Sequence, residues 1–348
     1  MERYIGLDVS RQSCTCAVMG PSGKRLREEV VETSGEALLR LIKSIPGTRH
    51  LCFEEGTQSL WLYELLKPHV HDLTVLGSEK SRGQKSDSVD AWSMCDRIRL
   101  GSVKTRVYKE LGEFGSLREA NRGYSFLTRD LARVKNRLQS IFRGRGLSPA
   151  EEIYDPATRQ QWFAQLPARQ KPVADLLGQQ MDALAPLKMH AKKWLEAEAK
   201  KHAIVGRIAT APGMGLIRSA QVAAIVVTPH RFRTRAQFWA YCGLGLVMRS
   251  SADWERVGDQ WIRAQVSKTR GLNRNRHPLL KAAFKGAATT VIQTKHPLHQ
   301  VYERMLQSGT KPNLAKLTLA RRIACIVLSM WKHEEDYDPK RQLNAKTE

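Results

Sequence analysis

The sequence predicts an α/β domain over residues 1–105, two mainly helical regions over 106–205 and 206–335, and a polar tail over 336–348. Three observations support this order. Short apolar runs with alternating polar positions occupy the first 80 residues, and such alternation is typical of half-buried strands. A heptad pattern of apolar residues then begins at Leu117. A strongly basic stretch between predicted helices follows residue 205.

The first domain is predicted to begin with three adjacent antiparallel strands. Strands over 4–9 and 14–19 precede a Gly-Pro-Ser-Gly turn and a third strand over 27–31. Helices and strands then alternate, with helices over 34–42, 60–66 and 88–100 and strands over 50–53 and 73–76. This order is typical of a ribonuclease-H-like sheet, in which acids at strand ends gather divalent ions.

Four carboxylates are candidate metal ligands in this domain. Asp8 interrupts one apolar strand and Glu54 ends another, whereas Asp87 and Asp90 share one face of a helix. A buried carboxylate that has no cation or hydrogen-bond donor beside it is costly. Because Mg²⁺ prefers hard oxygen ligands, the sequence predicts a magnesium site made by these four acids.

The charge distribution indicates a polyanionic partner. The formal net charge is +23, yet residues 1–100 contain 14 Lys/Arg and 14 Asp/Glu, whereas residues 201–300 contain 16 and 3. The excess therefore lies outside the domain that holds the acids. A neutral acid-bearing domain joined to a basic region favours a metal site that acts on nucleic acid. A basic, soluble surface without such a partner is the alternative.

Two features of the basic region are candidates for nucleic-acid contact. Gly213 and Gly215 lie in a Pro-Gly-Met-Gly turn between two helical runs, as in a helix-hairpin-helix, where backbone N–H groups can face a phosphate. An ordinary tight turn is the competing interpretation. Basic residues interspersed with aromatic ones follow, and the candidates are Arg231, Arg233, Arg235, Arg249, Arg256, Lys268, Arg270, Arg274 and Arg276.

The region 112–205 is predicted to form a helical hairpin. Apolar residues recur at steps of three and four, at Leu117, Ala120, Tyr124, Leu127, Leu131, Val134, Leu138 and Ile141. Two further helical runs follow Pro172. This pattern fits a coiled-coil arm that joins two protomers and an intramolecular helical pair equally well.

Cysteine usage and hydropathy restrict the compartment. The six cysteines contain no Cys-x-x-Cys pair, which favours reduced thiols over disulfides or a zinc site. No apolar run is long enough to span a membrane, and the N-terminus does not resemble a signal peptide. A cytoplasmic protein without membrane contact is therefore expected.

Short motifs around the acids occur together with motifs downstream. Asp8 lies in Ile-Gly-Leu-Asp-Val-Ser, Glu54 in Phe-Glu-Glu-Gly-Thr-Gln-Ser-Leu, and Asp87 and Asp90 in Lys-Ser-Asp-Ser-Val-Asp-Ala. Ala-Pro-Gly-Met-Gly, Phe-Trp-Ala-Tyr-Cys-Gly-Leu and Arg-Ser-Ser-Ala follow in that order. Together these motifs resemble the DEDD-type transposases of the insertion-sequence-one-hundred-and-ten family, which are related to the Piv/MooV invertases.

The resemblance implies a DNA recombinase that is guided by a bridge RNA. It implies a resolvase-like N-terminal domain that binds Mg²⁺ through Asp8, Glu54, Asp87 and Asp90, and a C-terminal transposase domain with a serine nucleophile. That serine attacks the DNA backbone and forms a covalent phosphoserine intermediate. Donor and target DNA, the guide RNA and a homodimer or homotetramer are the implied partners.

This sequence departs from the family pattern at three positions. The nucleophile aligns with Ser251, but Ser250 precedes it and Ala252 replaces the usual glycine. Glu55 lies next to Glu54, although the spacing to downstream residues favours Glu54. The arginine of a Gly-Asn-x-x-Leu-Arg motif is absent, and the candidate replacements are Lys281 and a nearby arginine.

Two other functions remain open from the sequence. A metal-dependent nuclease or junction resolvase would use the four acids with water as nucleophile and would not need Ser251. A non-enzymatic RNA-binding protein would tolerate the loss of all four acids.

Overall fold

The computed structural model describes residues 1–77, 86–110, 112–248, 254–263, 269–294 and 296–339 of the chain. The chain divides into two units, Met1–Glu110 and Leu111–Glu348. The first unit holds the four candidate acids, and the second holds the two predicted helical regions from residue 111 onward.

A six-stranded mixed sheet forms the centre of the first unit. Its strands are β1 (Glu2–Val9), β2 (Ser13–Met19), β3 (Arg25–Glu32), β4 (Thr48–Glu54), β5 (Asp72–Leu76) and β6 (Arg106–Val107). β1 pairs antiparallel with β2 and parallel with β4, and the strand order is β3-β2-β1-β4-β5-β6. The predicted mixed α/β sheet is confirmed, and it is compatible with a ribonuclease-H-like domain.

Helices cover both faces of this sheet. They are α1 (Gly35–Ser44), α2 (Ser59–Leu66) and α3 (Asp87–Arg99). Ile5 and Leu7 of β1 are fully buried in one core with apolar residues of α1 and α2 such as Leu62. α3 lies against the opposite face, where a Cβ at Gly6 would collide with the carbonyl oxygen of Ala91. Gly6 therefore allows α3 to pack directly on β1.

The second unit is mainly helical, as predicted. Its helices are α4 (Gly115–Arg143), α5 (Arg159–Ala164), α6 (Lys171–Lys200), α7 (Ala203–Ala209), α8 (Gly215–Val226), α9 (Arg235–Tyr241), α10 (Pro278–Gln293), α11 (His299–Gln307) and α12 (Pro312–His333). Four short strands, β7 (Leu246–Met248), β8 (Trp254–Val257), β9 (Gln260–Arg263) and β10 (Thr269–Leu272), form two ribbons, β7 with β10 and β8 with β9.

The two longest helices pack along each other within the chain. The two helical runs after Pro172 form one helix, α6, which continues through Pro186. α4 packs against α6, and Leu138 of the heptad pattern is fully buried with Phe142 and Phe163. The intramolecular helical pair, one of the two alternatives predicted for this region, is therefore present.

All six cysteines are free thiols, as expected. Five are buried, and burial raises the pKa of Cys16 and of Cys95 to about 12. These two thiols are therefore protonated at neutral pH and are poor nucleophiles.

Among the residues that the structure describes, no helix is both long enough and apolar enough to cross a bilayer.

Candidate metal site and nucleic-acid interface

Two of the predicted acids lie where adjacent parallel strands end. Leu7 of β1 is in register with Phe53 of β4, so Asp8 and Glu54 are the next residues on each strand. Both acids are half-buried and line one pocket of about 360 Å³. The other residues that line it are Val9, Ser10, Arg11, Glu55, Gly56, Thr57, Gln58, Ser59 and Leu62. The carboxyl ends of parallel strands meet at one edge of a sheet, which explains why these acids share a pocket.

The neighbouring acids Glu54 and Glu55 have different cation partners. Lys109 Nζ lies 2.7 Å from Glu55 Oε1, and the Lys109 side chain is only 10% exposed. The guanidinium of Arg97 lies 3.8 Å from Glu54 Oε1, which is beyond hydrogen-bond distance. Glu55 therefore accepts a short hydrogen bond from its own lysine, whereas the contact of Glu54 with Arg97 is longer.

Asp87 and Asp90 lie in the first turn of α3. Ser86 caps this helix by accepting a hydrogen bond from Val89 N at 3.3 Å. Acids in a first turn also stabilise the helix through its dipole. Neither aspartate lines the Asp8–Glu54 pocket. In the described part of the chain, no three His, Cys, Asp or Glu side chains are grouped closely enough to hold a metal ion.

The donor set in the pocket fits the chemistry of magnesium. Mg²⁺ keeps several water ligands and is usually bound by one or two carboxylates together with substrate phosphates. Asp8 and Glu54 supply two carboxylates in one open, polar pocket. The carboxylates of this pair are thus of the type and number that protein sites for Mg²⁺ contain.

Arg97 is a residue of this site that the sequence interpretation missed. Asp90, Met94 and Arg97 follow one another at helical steps of four and three, so they share a face of α3. Met94 of that face packs against Cys52 of β4, which brings Arg97 to Glu54. The spacing of seven residues from Asp90 is a signal that could have identified it.

A tight turn between α7 and α8 fits the predicted Pro-Gly-Met-Gly turn. Gly213 has φ +70°, and a Cβ there would collide with the carbonyl oxygen of Ala287 in α10. Arg218 Nη1 donates to Gly213 O at 2.6 Å and to Thr290 Oγ1 at 3.1 Å, which braces the turn against α10. α8 begins at Gly215 without a side-chain cap, so no capping side chain occupies its N-terminal N–H groups.

Replacing Gly213 with alanine should destabilise the second unit. The new Cβ meets a backbone carbonyl, and alanine must adopt the positive φ of Gly213, so the strain costs about 1–3 kcal/mol. Gly206→Ala in α7 is a matched control, because a Cβ there meets nothing within 4 Å. It should raise the free energy of unfolding by about 0.5–1 kcal/mol. Urea denaturation of both variants measures the difference, and equal stabilities would contradict the packing described above.

The predicted basic residues fall into three groups. Exposed side chains occur at Arg233, Arg235, Arg256 and Arg274. Arg231 and Arg276 are half-buried instead: Arg231 lies over the Tyr241 ring at 4.9 Å, and Arg276 packs against Gly243. These two therefore support the fold as well. The third group, Arg249, Lys268 and the side chain of Arg270, lies outside the described residues. The candidate nucleophile Ser251 and its neighbour Ser250 lie outside them too.

The segment that leads to the candidate serine is anchored by residues that the sequence did not indicate. Arg321 of α12 donates from Nε to Leu244 O at 2.7 Å, and Trp239 Nε1 donates to Arg321 O at 3.1 Å. β7 follows directly and pairs with β10. Leu244, seven residues before Ser251 in the sequence, is thus held by a long-range contact that local sequence spacing does not reveal.

Comparison with known proteins finds transposase sequences in two regions of the chain. The sequence model of a family of DEDD transposases, DEDD_Tnp_IS110, matches residues 5–145, the region that contains all four acids. A second model, described as "Transposase IS116/IS110/IS902 family", matches residues 205–303, the region with the glycine turn and the basic residues. No curated protein matches the chain. DNA is the substrate of a transposase, and the two matches together show that this chain belongs to the IS110 family of transposases.

Proposed function

We propose that this transposase cuts and rejoins DNA under the guidance of an RNA, through a covalent phosphoserine intermediate on Ser251. The observation that carries the proposal is the pair Asp8 and Glu54, two carboxylates in one pocket at the ends of parallel strands. Asp87 and Asp90 are proposed to complete the site from the start of α3. The proposal includes a relationship of this chain to the Piv/MooV invertases. It also assigns a resolvase-like domain to the first unit.

Mg²⁺ bound at these acids would supply charge stabilisation for the attacking and leaving oxygens. The acids would orient the ion. The guanidinium of Arg97, 3.8 Å from Glu54 Oε1, would hold the Glu54 carboxylate in place. Glu55 would remain bound to Lys109 and would not take part.

The serine step conserves the number of phosphate ester bonds. Ser251 Oγ attacks the phosphorus, its proton leaves to a base, and the bond from phosphorus to the leaving sugar oxygen breaks. A sugar hydroxyl of the exchanged strand then attacks the phosphoserine and releases Ser251. Each step replaces one ester by another, so strands are rejoined without an added energy source. Water as nucleophile would leave a broken strand, which is the nuclease or junction-resolvase alternative.

Nucleic-acid binding is assigned to the second unit. The exposed arginines Arg233, Arg235, Arg256 and Arg274 can neutralise phosphates, and the residues around them contain few acids. The uncapped α8 N-terminus behind Gly213 and Gly215 is proposed as a further phosphate contact. Donor DNA, target DNA and guide RNA would all present such phosphates.

Self-association through α4 and α6 is part of the proposal, with a homodimer or homotetramer as the product. Charged residues at Leu138 would not test it, because that side chain is fully buried inside the chain. Val173, Leu176 and Leu187 are exposed on one stripe of α6. A second copy of the arm is the proposed cover for this stripe.

The double substitution Leu176→Lys with Leu187→Lys should therefore give monomers. Lysines on both sides of a self-complementary contact repel each other and lose apolar burial. Light scattering of the chain bound to nucleic acid measures the mass. Gln179→Lys adds charge at an exposed polar position of the same helix and should leave the mass unchanged. A monomeric wild-type complex would contradict the assembly.

RNA guidance can be tested by reprogramming. The purified chain, the RNA encoded beside its gene, Mg²⁺ and a DNA that matches the RNA should give cleavage at the matched site. Changing the RNA sequence should move the cut, because base pairing then selects the DNA while the protein contacts the backbones. Cleavage that is equal without RNA would favour the nuclease alternative.

A further inference from the structure

The ribbon formed by β8 and β9 carries two tryptophans and an arginine on one face. β8 pairs antiparallel with β9, and Arg256 lies directly opposite Trp261. Trp254 is two residues before Arg256 on the same strand. Directly paired residues and residues two apart project from the same side of a sheet. Trp254, Arg256 and Trp261 therefore form one surface, here called the tryptophan face.

The tryptophan face is open to solvent. Trp254 is 58% exposed and Trp261 is 65% exposed, more than any of the other six tryptophans of the chain. Burial of an aromatic side chain normally contributes to folding, so two adjacent exposed indoles are not explained by the stability of the ribbon. Exposed aromatic residues grouped together mark a binding surface.

We infer that the tryptophan face stacks on unpaired DNA bases beside the exchanged phosphate. Indole rings stack on bases of any sequence, and a nearby arginine adds a contact to the phosphate backbone. Arg256 forms an ion pair at 3.2 Å with Asp259, whose side chain is fully exposed. Such a surface ion pair is weak, so a DNA phosphate can replace it. The inference rests on the proposed function, because it assigns the bases to the strand that Ser251 cuts.

The position of the ribbon along the chain supports this assignment. Trp254 is three residues after Ser251, so the two Cα atoms are at most about 11 Å apart even in a fully extended chain. That distance spans about three stacked nucleotides at roughly 3.4 Å each. Exchange of strands requires unpaired bases next to the break. In a duplex the base faces are covered by their neighbours, so the tryptophan face should distinguish unpaired DNA from paired DNA.

The test uses the full chain with labelled DNA of one sequence in single-stranded and duplex form. Trp254→Ala with Trp261→Ala should weaken single-strand binding by at least about fivefold, since each stacked base contributes about 1–3 kcal/mol. Duplex binding should change by less than about twofold, because phosphate contacts dominate it. Trp261→Phe should keep most of the single-strand affinity, since phenylalanine also stacks.

Trp61→Ala is the matched control, because Trp61 is 39% exposed on α2 of the first unit and is far along the chain from Ser251. It should leave single-strand binding unchanged. Equal loss for single-stranded and duplex DNA, or an equal effect of the control, would overturn the inference. A loss confined to single-stranded RNA of the same sequence would overturn the assignment to DNA.

A second measurement does not depend on folding of the double variant. A single strand with 2-aminopurine near the scissile phosphate should lose fluorescence when the wild-type chain binds and the base stacks. No quenching at saturation would overturn the inference while leaving the proposed transposase activity standing. A wild-type chain that binds no DNA of either form would instead contradict the proposed function itself.

Discussion

Replacing Ser251 with alanine should abolish both DNA cleavage and rejoining while binding of DNA and RNA persists. Loss of a nucleophile in a covalent mechanism lowers the rate by at least about a thousandfold. Binding depends on phosphate contacts spread over the second unit, so removal of one hydroxyl should alter affinity little. Single-turnover cleavage of matched DNA measures the rate.

Ser250→Ala is the control for Ser251, since it removes the neighbouring hydroxyl. Its rate should stay within about tenfold of the wild-type rate, far above that of Ser251→Ala. If Ser250→Ala is inactive and Ser251→Ala is active, the nucleophile is Ser250 and the covalent mechanism stands. If Ser251→Ala cuts DNA at nearly the wild-type rate and Ser250→Ala does too, water is the nucleophile.

Asp8→Asn should reduce cleavage by about three orders of magnitude, because a metal ion stabilises the transition state by several kcal/mol. The substitution keeps the shape of the side chain but removes its charge. Asp8 is only half-buried, so the free energy of unfolding should change by less than about 1 kcal/mol. Any rise in melting temperature that Mg²⁺ gives the wild type should also be lost.

Asp72→Asn is the matched control in the same sheet. Asp72 is exposed at the start of β5, outside the residues that line the pocket of Asp8 and Glu54. Cleavage and the response to Mg²⁺ should be those of the wild type. Equal activity of Asp8→Asn and Asp72→Asn would show that the pocket is not the metal site.

Local patterns in the sequence were sufficient for the sheet of the first unit. The apolar alternation around Ile5 and Leu7 and the hairpin turn before β3 are local signals, and both appear in the structure. The same signals placed Asp8 within one strand and Glu54 at the end of another. Their common pocket follows from the parallel pairing of β1 and β4, a consequence of the predicted fold.

Contacts between distant segments could not be predicted in this way. Lys109 donates a hydrogen bond to Glu55 from 54 residues away, and no periodic pattern in the sequence indicates that contact. The heptad pattern predicted that the Leu138 side chain lies at an interface between two helices. It could not decide whether the partner helix belongs to the same chain. Asp87 and Asp90 share a helix as expected, yet helical spacing alone does not determine how far they lie from Asp8.

The central claim is the covalent serine linkage, and trapping it is the most direct test. Wild-type chain, guide RNA, Mg²⁺ and a labelled DNA with an interrupted rejoining strand should give a protein–DNA species that survives denaturing electrophoresis. Proteolysis and mass spectrometry should then locate the nucleotide on the peptide that contains Ser251. Fully cleaved DNA with free ends and no protein-linked species would contradict the account.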